Sequence, residues 1–164
     1  MRQRWRIYLL LCLLLCVSCS SRVEPQPANG YQLYFPVGAE QSHGPAIRTQ
    51  PWPGTGTPKP EILLKALLNG PQQEGLISPF PRDVTMVKCT MDSEEPGLLC
   101  VILSEQYSAL SDVSLTLADY CIVMTLSQFP EVKAVEIQTE DGSYGYRSHQ
   151  ILHREEVELP PLLP

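Results

Sequence analysis

Residues 125–135 read TLSQFPEVKAV, and this stretch joins a predicted helix to a predicted strand. The helix is expected over residues 111–129, where apolar positions recur at helical spacing. Its apolar stripe consists of Ala118, Ile122, Thr125 and Phe129. A strand at residues 120–126 is the alternative, which the length of the periodic segment disfavours. Pro130 ends the helix, because proline removes a backbone donor and clashes with the preceding turn.

Beyond this proline the pattern changes to an alternation of apolar and polar residues. Within residues 132–139, the side chains of Val135, Ile137 and Thr139 alternate with polar ones. Such alternation predicts a half-buried strand. The Asp-Gly pair at residues 141–142 predicts a turn directly after it.

Two further strands are predicted upstream, at residues 84–91 and 98–103, because both segments are apolar and β-branched. The polar sequence DSEEPG at residues 92–97 separates them and predicts a hairpin. In the symmetric register of that hairpin, Cys89 faces Cys100. The two cysteines are therefore interpreted either as a disulfide or as two small buried hydrophobic residues.

A first helix is predicted from Pro60, a residue that suits the first helical position. Glu61 lies in the first turn, where the helix dipole favours an acid. Gly70 and Pro71 follow the last turn and end the helix. The apolar face consists of four leucines, Leu63, Leu64, Leu67 and Leu68.

The first strand is predicted at residues 31–35, ahead of a long loop at residues 38–58 that is rich in Pro and Gly. Residues 46–49 are a short extended piece within that loop. The complete order is strand, helix, strand, strand, helix, strand. This order predicts an α+β fold in which two helices pack on one face of a small mixed sheet.

The sequence contains no recognisable catalytic set. It has neither a Gly-x-Ser-x-Gly elbow nor a glycine-rich phosphate loop. His149 and His153 lie four residues apart, but no second pair of metal ligands accompanies them, so solvent-exposed histidines are the preferred interpretation. Cys121 is expected to pack in the core. No catalytic residue, metal or cofactor is therefore predicted, and the protein is not expected to be an enzyme.

The N-terminus carries a basic start and a short apolar run over residues 7–17, which is typical of a secretory signal and too short for a membrane-spanning helix. Val17, Ser18 and Cys19 resemble the lipobox of bacterial lipoproteins, although Cys16 stands where leucine is usual. The resemblance implies a signal peptide at residues 1–18 and lipid attachment at Cys19. An ordinary secretory signal and an uncleaved anchor are the alternatives.

Charge excludes one class of partner. The chain of 164 residues has 12 basic and 18 acidic side chains. Cleavage after residue 18 removes three arginines and leaves 9 basic against 18 acidic side chains. Such a surface argues against nucleic acid, because binding to phosphates depends on Lys and Arg. Residues 19–30 are expected to form a tether and residues 147–164 a polar, proline-rich tail.

Three segments together resemble the GerMN domain of the sporulation and spore germination family. Residues 66–71 with 76–81 are similar to its "LL-x-GP … P" signature, residues 103–107 to "LS-x-x-F/Y", and residues 125–135 to "TL-x-Q-FP-x-V-x-x-V". The resemblance implies a domain at residues 31–146. Its motif positions are Leu67, Leu68, Gly70, Pro71, Pro79, Pro81, Ser104, Thr125, Leu126, Phe129, Pro130 and Val135.

By this resemblance, the protein is expected to be a non-catalytic interaction or assembly module in sporulation or spore germination. Its lipid, of the palmitate type, would hold it at the extracytoplasmic face of the bacterial cell membrane. Its partners would be the membrane and proteins of an envelope or septal assembly, with no small-molecule substrate. A cell-envelope hydrolase, an accessory lipoprotein unrelated to sporulation and a transporter receptor are the alternatives.

Overall fold

The structure is a computed structural model that describes residues 30–38, 46–142 and 151–157. The predicted signal peptide, Cys19 and almost all of the tether lie outside the described residues. His149 and the end of the predicted tail also lie outside them.

The elements follow one another in an order close to the predicted one. In chain order they are β1 (Gln32–Pro36), β2 (Ile47–Pro51), α1 (Pro60–Leu68), β3 (Met86–Met91), β4 (Leu98–Leu103), a 3₁₀ turn (Glu105–Ala109), α2 (Asp112–Leu126), β5 (Ala134–Thr139), β6 (Ile151–His153) and α3 (Arg154–Val157). The predicted α+β class is therefore confirmed.

The strands form two sheets within the described residues. One has four strands in the order β3-β4-β5-β6, with β4 and β5 parallel and the other pairs antiparallel. The other is an antiparallel ribbon of β1 and β2. The prediction of a single sheet was wrong, because the extended piece at residues 46–49 belongs to a strand that pairs with the first strand. Pairing in the ribbon runs from Gln32 opposite Pro51 to Pro36 opposite Ile47.

Helix α1 begins and ends as its sequence predicts. Pro60 occupies the first turn, and the helix ends at Leu68. Gly70 has a φ of +85° and donates its N–H to Leu67 O at 3.0 Å. Residues with a side chain rarely adopt this left-handed conformation, so glycine is favoured at this helix end.

Helix α2 ends at Leu126, three residues before the predicted end. Ser127 donates its N–H to Val123 O at 2.8 Å, and Phe129 donates to Leu126 O at 3.2 Å. The second bond spans three residues and tightens the chain into a turn. The turn precedes Pro130, because a proline disfavours helical geometry in the residue before it.

The core lies between the helices and the inner face of the four-stranded sheet. Helix α1 contacts β3 and α2, and helix α2 contacts β5 and β1. Both helices therefore cover the same core, as predicted. The fully buried side chains include Leu33, Phe35, Leu63, Leu64, Leu67, Leu99, Leu103, Ile122, Leu126 and Ile137.

The hairpin of β3 and β4 has a register one residue away from the symmetric one. Cys89 lies opposite Val101, and Thr90 lies opposite Cys100. Asp92 donates its N–H to Leu98 O at 2.8 Å, and this bond closes a turn with five residues, 93–97, between the two bonded positions. A shift of one residue moves a side chain to the other face. Cys89 is consequently buried and Cys100 half-buried, and both are free thiols instead of the disulfide considered above.

Part of the predicted tail is folded. Residues 151–153 form β6 and pair with β5, so that Ala134 lies opposite His153. The single turn of α3 follows, and its last residue, Val157, is fully buried. A strand of three residues is too short to give a recognisable alternation, which explains why the sequence pattern did not predict it.

Candidate functional site

Side chains of the motif at residues 125–135 form hydrogen bonds that join β1 to the end of α2. Thr125 Oγ1 accepts a hydrogen bond from Tyr34 N at 3.2 Å. Gln128 Oε1 accepts from Gln32 N at 2.8 Å, and Gln128 Nε2 donates to Gln32 O at 2.7 Å. These side chains supply the hydrogen bonds that a neighbouring strand would otherwise give. The backbone groups on the edge of β1 that faces away from β2 therefore find hydrogen-bond partners at the end of α2.

Replacing Gln128 with alanine is expected to destabilise the fold by about 1–3 kcal/mol, because the partly buried backbone groups of Gln32 lose their partners. Gln128 Nε2 also donates to Thr125 O at 2.9 Å, and this bond would be lost as well. Urea unfolding of the two forms measures the difference. Gln106→Ala is the control, since Gln106 is exposed on the 3₁₀ turn. Equal midpoints for the two variants would contradict the proposed role of Gln128.

The segment at residues 103–107 anchors the 3₁₀ turn. Ser104 Oγ accepts from Thr85 N at 2.9 Å, and Ser104 N donates to Thr85 O at 2.9 Å. Tyr107 is 1% exposed and donates its hydroxyl to Asp119 Oδ1 at 2.7 Å. Asp119 is itself buried within α2. The motif tyrosine thus satisfies a buried carboxylate and joins the turn to the helix.

The segment after Gly70 and Pro71 is held by a residue outside the motif. Gln50 Oε1 accepts from Gln72 N at 2.9 Å and from Gln73 N at 3.1 Å, and Gln50 is buried. Downstream, Phe80 lies between Pro79 and Pro81 and packs its ring 6.4 Å from that of Tyr107. Sequence reasoning missed Gln50, because a glutamine in a Pro- and Gly-rich loop carries no pattern of its own.

The three described thiols are poor nucleophiles. Burial raises the pKa of Cys121 to about 12. Burial and the nearby charge of Glu61 raise the pKa of Cys89 to about 12. The pKa of Cys100 rises to about 11, first through burial and then through Glu136 and Asp92. Since only the thiolate is nucleophilic, these groups are unsuited to covalent catalysis at neutral pH.

Two carboxylates hold the Cys100 thiol on the outer face of the sheet. Its Sγ donates to Glu136 Oε2 at 3.5 Å and to Asp92 Oδ2 at 3.7 Å. Asp92 has a lowered pKa, because the backbone amides of Glu95 and Glu94 donate to its carboxylate. A neighbouring anion disfavours the thiolate. Both acids therefore act to keep Cys100 protonated.

Alkylation of Cys100 is expected to be about 100-fold slower at pH 8 than that of a thiol with the ordinary pKa of 9.0, because a pKa of about 11 leaves less thiolate. The rate should rise about tenfold per pH unit up to pH 11. Mass spectrometry of the Cys100 peptide after timed iodoacetamide treatment measures it.

Glu136→Gln should accelerate the Cys100 reaction at pH 8, since it removes one of the two anions. Glu131→Gln is the matched control, because Glu131 is exposed and makes no contact with the thiol. A rate already at its plateau at pH 8 would contradict the raised pKa.

A cleft of about 380 Å³ opens where the motif turn after α2 meets β6 and α3. Arg154 Nη1 donates to Ser127 O across it at 3.3 Å. Ser127 is 7% exposed, and its Oγ has no hydrogen-bond partner in the part of the chain that the structure describes. The lining residues are Ser127, Gln128, Phe129, Pro130, Val132, Lys133, His153, Arg154 and Glu155.

The cleft is the site that the sequence did not predict. It joins residues 127–133 to residues 153–155, which are at least twenty positions apart in the sequence, and the second segment was assigned to the tail. The side chain of His153 is exposed, and its backbone N–H donates to Glu156 Oε2 at 2.8 Å.

Among the described residues, no group of three His, Cys, Asp or Glu side chains is arranged to hold a metal ion. The described helices also include none with the length and apolarity that crossing a bilayer requires.

Comparison with known proteins places the fold. The family model described as "Sporulation and spore germination" matches residues 32–144. The first GerMN domain of the sporulation protein GerM from Bacillus subtilis is similar in structure, with a TM-score of 0.59 and 17% identity over 76% of this chain and 97% of that one. No curated protein sequence gives a significant match.

The tandem GerMN domains of the same Bacillus subtilis protein give a TM-score of 0.57 with 19% identity over 76% of this chain. The match spans 44% of the tandem structure. At these identities the structural likeness concerns the fold. The family match confirms the resemblance that the sequence motifs indicated, and the matched segment contains all three motif regions.

Proposed function

The chain belongs to the sporulation and spore germination family, and we propose that it is a lipid-anchored, non-catalytic interaction module of that process. The observation that carries this proposal is the family match, which extends over residues 32–144. The motif residues within that segment make structural contacts. Thr125 and Ser104 accept hydrogen bonds from backbone N–H groups, and Leu67 is fully buried. None of these contacts positions a nucleophile or a base.

The low reactivity of the described thiols and the pairing of Tyr107 with Asp119 favour a binding role over a hydrolase. The pKa values of Cys89, Cys100 and Cys121 are raised, which disfavours thiolate catalysis. Tyr107 and Asp119 are buried and hydrogen-bonded to each other, so a substrate in solvent does not reach them. A hydrolase would need a nucleophile and a base within hydrogen-bond reach in an accessible cleft.

The proposed place of action is the extracytoplasmic face of the bacterial cell membrane. The lipobox-like sequence around Cys19 and the basic, apolar leader before it support this location. Residues 19–30 would then form the link between the acyl chains and β1. The partners proposed are the membrane, through the lipid, and proteins of a septal or envelope assembly.

The test is to isolate the intact chain from its own cells after rapid crosslinking, once during growth and once during sporulation. The proposal predicts that septal or germination proteins are enriched in the sporulating sample. Recovery of cell-wall enzymes or transporter subunits from growing cells instead would favour the accessory-lipoprotein alternative. A crosslinked sample with nothing above background would overturn the interaction role.

A further inference from the structure

We propose that β3 is a self-association edge, at which two copies of this chain pair their β3 strands antiparallel across a two-fold axis. In this arrangement Lys88 of each copy lies opposite Asp92 of the other. The pairing goes beyond the proposed function, because it makes a second copy of the chain a partner. The two four-stranded sheets would join into one continuous sheet.

The exposed edge of the four-stranded sheet is the first observation. β3 is an end strand in the order β3-β4-β5-β6, and no other described strand pairs with it on the side away from β4. Asp92 N donates to Leu98 O at 2.8 Å. The alternation of an antiparallel ladder therefore turns the backbone groups of Thr90 towards β4 and those of Cys89 and Met91 away from it. Outward-pointing groups of this kind are a template for another strand.

Two exposed apolar side chains on β3 are the second observation. The exposed fraction is 51% for Val87 and 39% for Met91, and these are two of the five large hydrophobic side chains that the described part of the chain exposes. A second strand beside them would remove part of this apolar area from water. The register shifts between Met86 and Lys88, so regular pairing is expected to begin at residue 88.

The charges on β3 are complementary to one another, and this selects a second copy as the occupant. Lys88 and Thr90 lie opposite Ile102 and Cys100, so both side chains are on the outer face of the sheet. Asp92 is on the same face, since its Oδ2 accepts from the Cys100 thiol at 3.7 Å. A lysine on an edge strand usually discourages pairing. An acid directly opposite makes it a favourable cross-strand pair instead.

One register satisfies both the hydrogen bonds and the charges. Cys89 and Met91 point outwards, so the hydrogen-bonded pairs must join these two positions. With Cys89 opposite Met91 of the second copy, Thr90 faces Thr90 and Lys88 faces Asp92 on both sides of the axis. With Cys89 opposite Cys89, Lys88 would face a threonine. With Met91 opposite Met91, it would face residue 94, which lies within the turn and beyond the ladder.

The interface is small, and this determines the conditions of the test. The paired segment extends over residues 88–92, and a contact between two short strands is marginally stable by itself. Chains that share one membrane through an anchor meet at a raised effective concentration. The test therefore uses the intact chain in the membrane of cells that produce it.

The test is disulfide trapping of Thr90→Cys. In the proposed register, residue 90 faces its own copy in a non-hydrogen-bonded pair with Cα atoms about 4.5 Å apart, which a disulfide can bridge. The chain also carries Cys100→Ser, because Cys100 lies opposite Thr90 within one copy and would compete for the new thiol. Mild oxidation should give a disulfide-linked dimer on a non-reducing gel, and mass spectrometry of the linked peptide identifies the bridge.

Thr85→Cys in the same Cys100→Ser chain is the matched control, because Thr85 is also an exposed threonine and lies just ahead of β3. In the proposed register the two copies of residue 85 are offset by about ten residues of extended chain, or about 30 Å. This distance is far beyond the reach of a disulfide. The control should therefore give at least about tenfold less dimer than Thr90→Cys.

A second pair of variants tests the charges. Lys88→Glu, added to the trapping chain, should lower the initial rate of dimer formation about fivefold, because it places like charges opposite each other twice across the axis. Lys65→Glu is the matched control, since Lys65 is exposed on α1 and the change in net charge is the same. It should leave the rate unchanged.

Four outcomes would overturn the proposal. These are no dimer from Thr90→Cys, equal trapping of Thr90→Cys and Thr85→Cys, equal rates for Lys88→Glu and Lys65→Glu, and a disulfide from residue 90 to a different protein. The last result would identify a strand of another protein as the occupant of the edge. A dimer linked through residue 90, slowed by Lys88→Glu alone, supports the proposed register.

The failure of this pairing and the failure of the proposed function give different results. If Thr90→Cys yields no dimer while crosslinked sporulating cells yield septal or germination proteins, self-association fails and the interaction role stands. If the dimer forms and those proteins are not recovered, the pairing of β3 stands and the proposed role in sporulation fails.

Discussion

Leu67→Ala is expected to lower the free energy of unfolding by about 2–5 kcal/mol. Leu67 lies in the last turn of α1, is fully buried and belongs to the hydrophobic core that both helices share. The substitution removes buried methyl groups and leaves a cavity that the neighbouring side chains fill only in part. Denaturant unfolding of the intact chain measures the loss, because a cavity changes the midpoint more than the slope.

Ile62→Ala is the matched control for this result. Ile62 lies on the same helix, but its side chain is 49% exposed. Both substitutions introduce alanine, so the intrinsic helix propensity favours the two variants in the same direction. The control should cost less than about 1 kcal/mol. If Ile62→Ala proved as destabilising as Leu67→Ala, the assignment of the buried face of α1 would be wrong.

The first helix shows how far sequence alone reaches. Its first residue, its four-leucine face and its glycine end all depend on local signals, and the structure confirms them at Pro60, Leu67 and Gly70. The strands of the hairpin were predicted for the same reason. Local patterns therefore locate elements well, since capping, periodicity and proline act within a few residues.

Pairing between distant segments was not predictable in the same way. Residues 47–51 pair with β1, although the loop that contains them is rich in Pro and Gly and shows no alternation. The hairpin register depends on how many residues the turn takes, and one residue decides which face Cys100 occupies. The resemblance identified Thr125 as a motif position, but only the structure shows that it bonds Tyr34 across the edge of β1.

The cleft was not predictable from the sequence for the same reason. It requires that residues 153–155 lie beside the turn after α2, which depends on β6 pairing with β5. Buried Val157 fixes the end of that segment. A sequence pattern assigns such a short strand to a tail, because three residues carry little periodic signal. The candidate site is thus a product of tertiary packing, whereas the family motif describes the fold that makes it.

Cys19→Ser is expected to abolish acylation of the protein, because a thioether lipid requires the cysteine sulfur. Each buried methylene contributes about 0.8 kcal/mol to membrane binding, and two acyl chains hold where one barely does. The domain that follows residue 18 has 9 basic against 18 acidic side chains, so anionic lipid does not attract it. Retention of the processed protein at the membrane is therefore expected to depend wholly on the lipid. Incorporation of an alkyne-labelled palmitate analogue in cells, followed by mass spectrometry of the N-terminal peptide, measures this.

Cys16→Ser and Cys12→Ser are the controls for acylation, since both cysteines lie in the same leader but follow a bulky leucine. Both variants should keep the label, and their mature N-terminus should begin at Cys19. Label that persists in Cys19→Ser, or that disappears in Cys16→Ser, would contradict the assignment of Cys19. An unlabelled chain that is cleaved at another position and released would identify an ordinary secretory signal. In that case the interaction module would act without an anchor, because the segment that the family model matches begins at residue 32, beyond the leader.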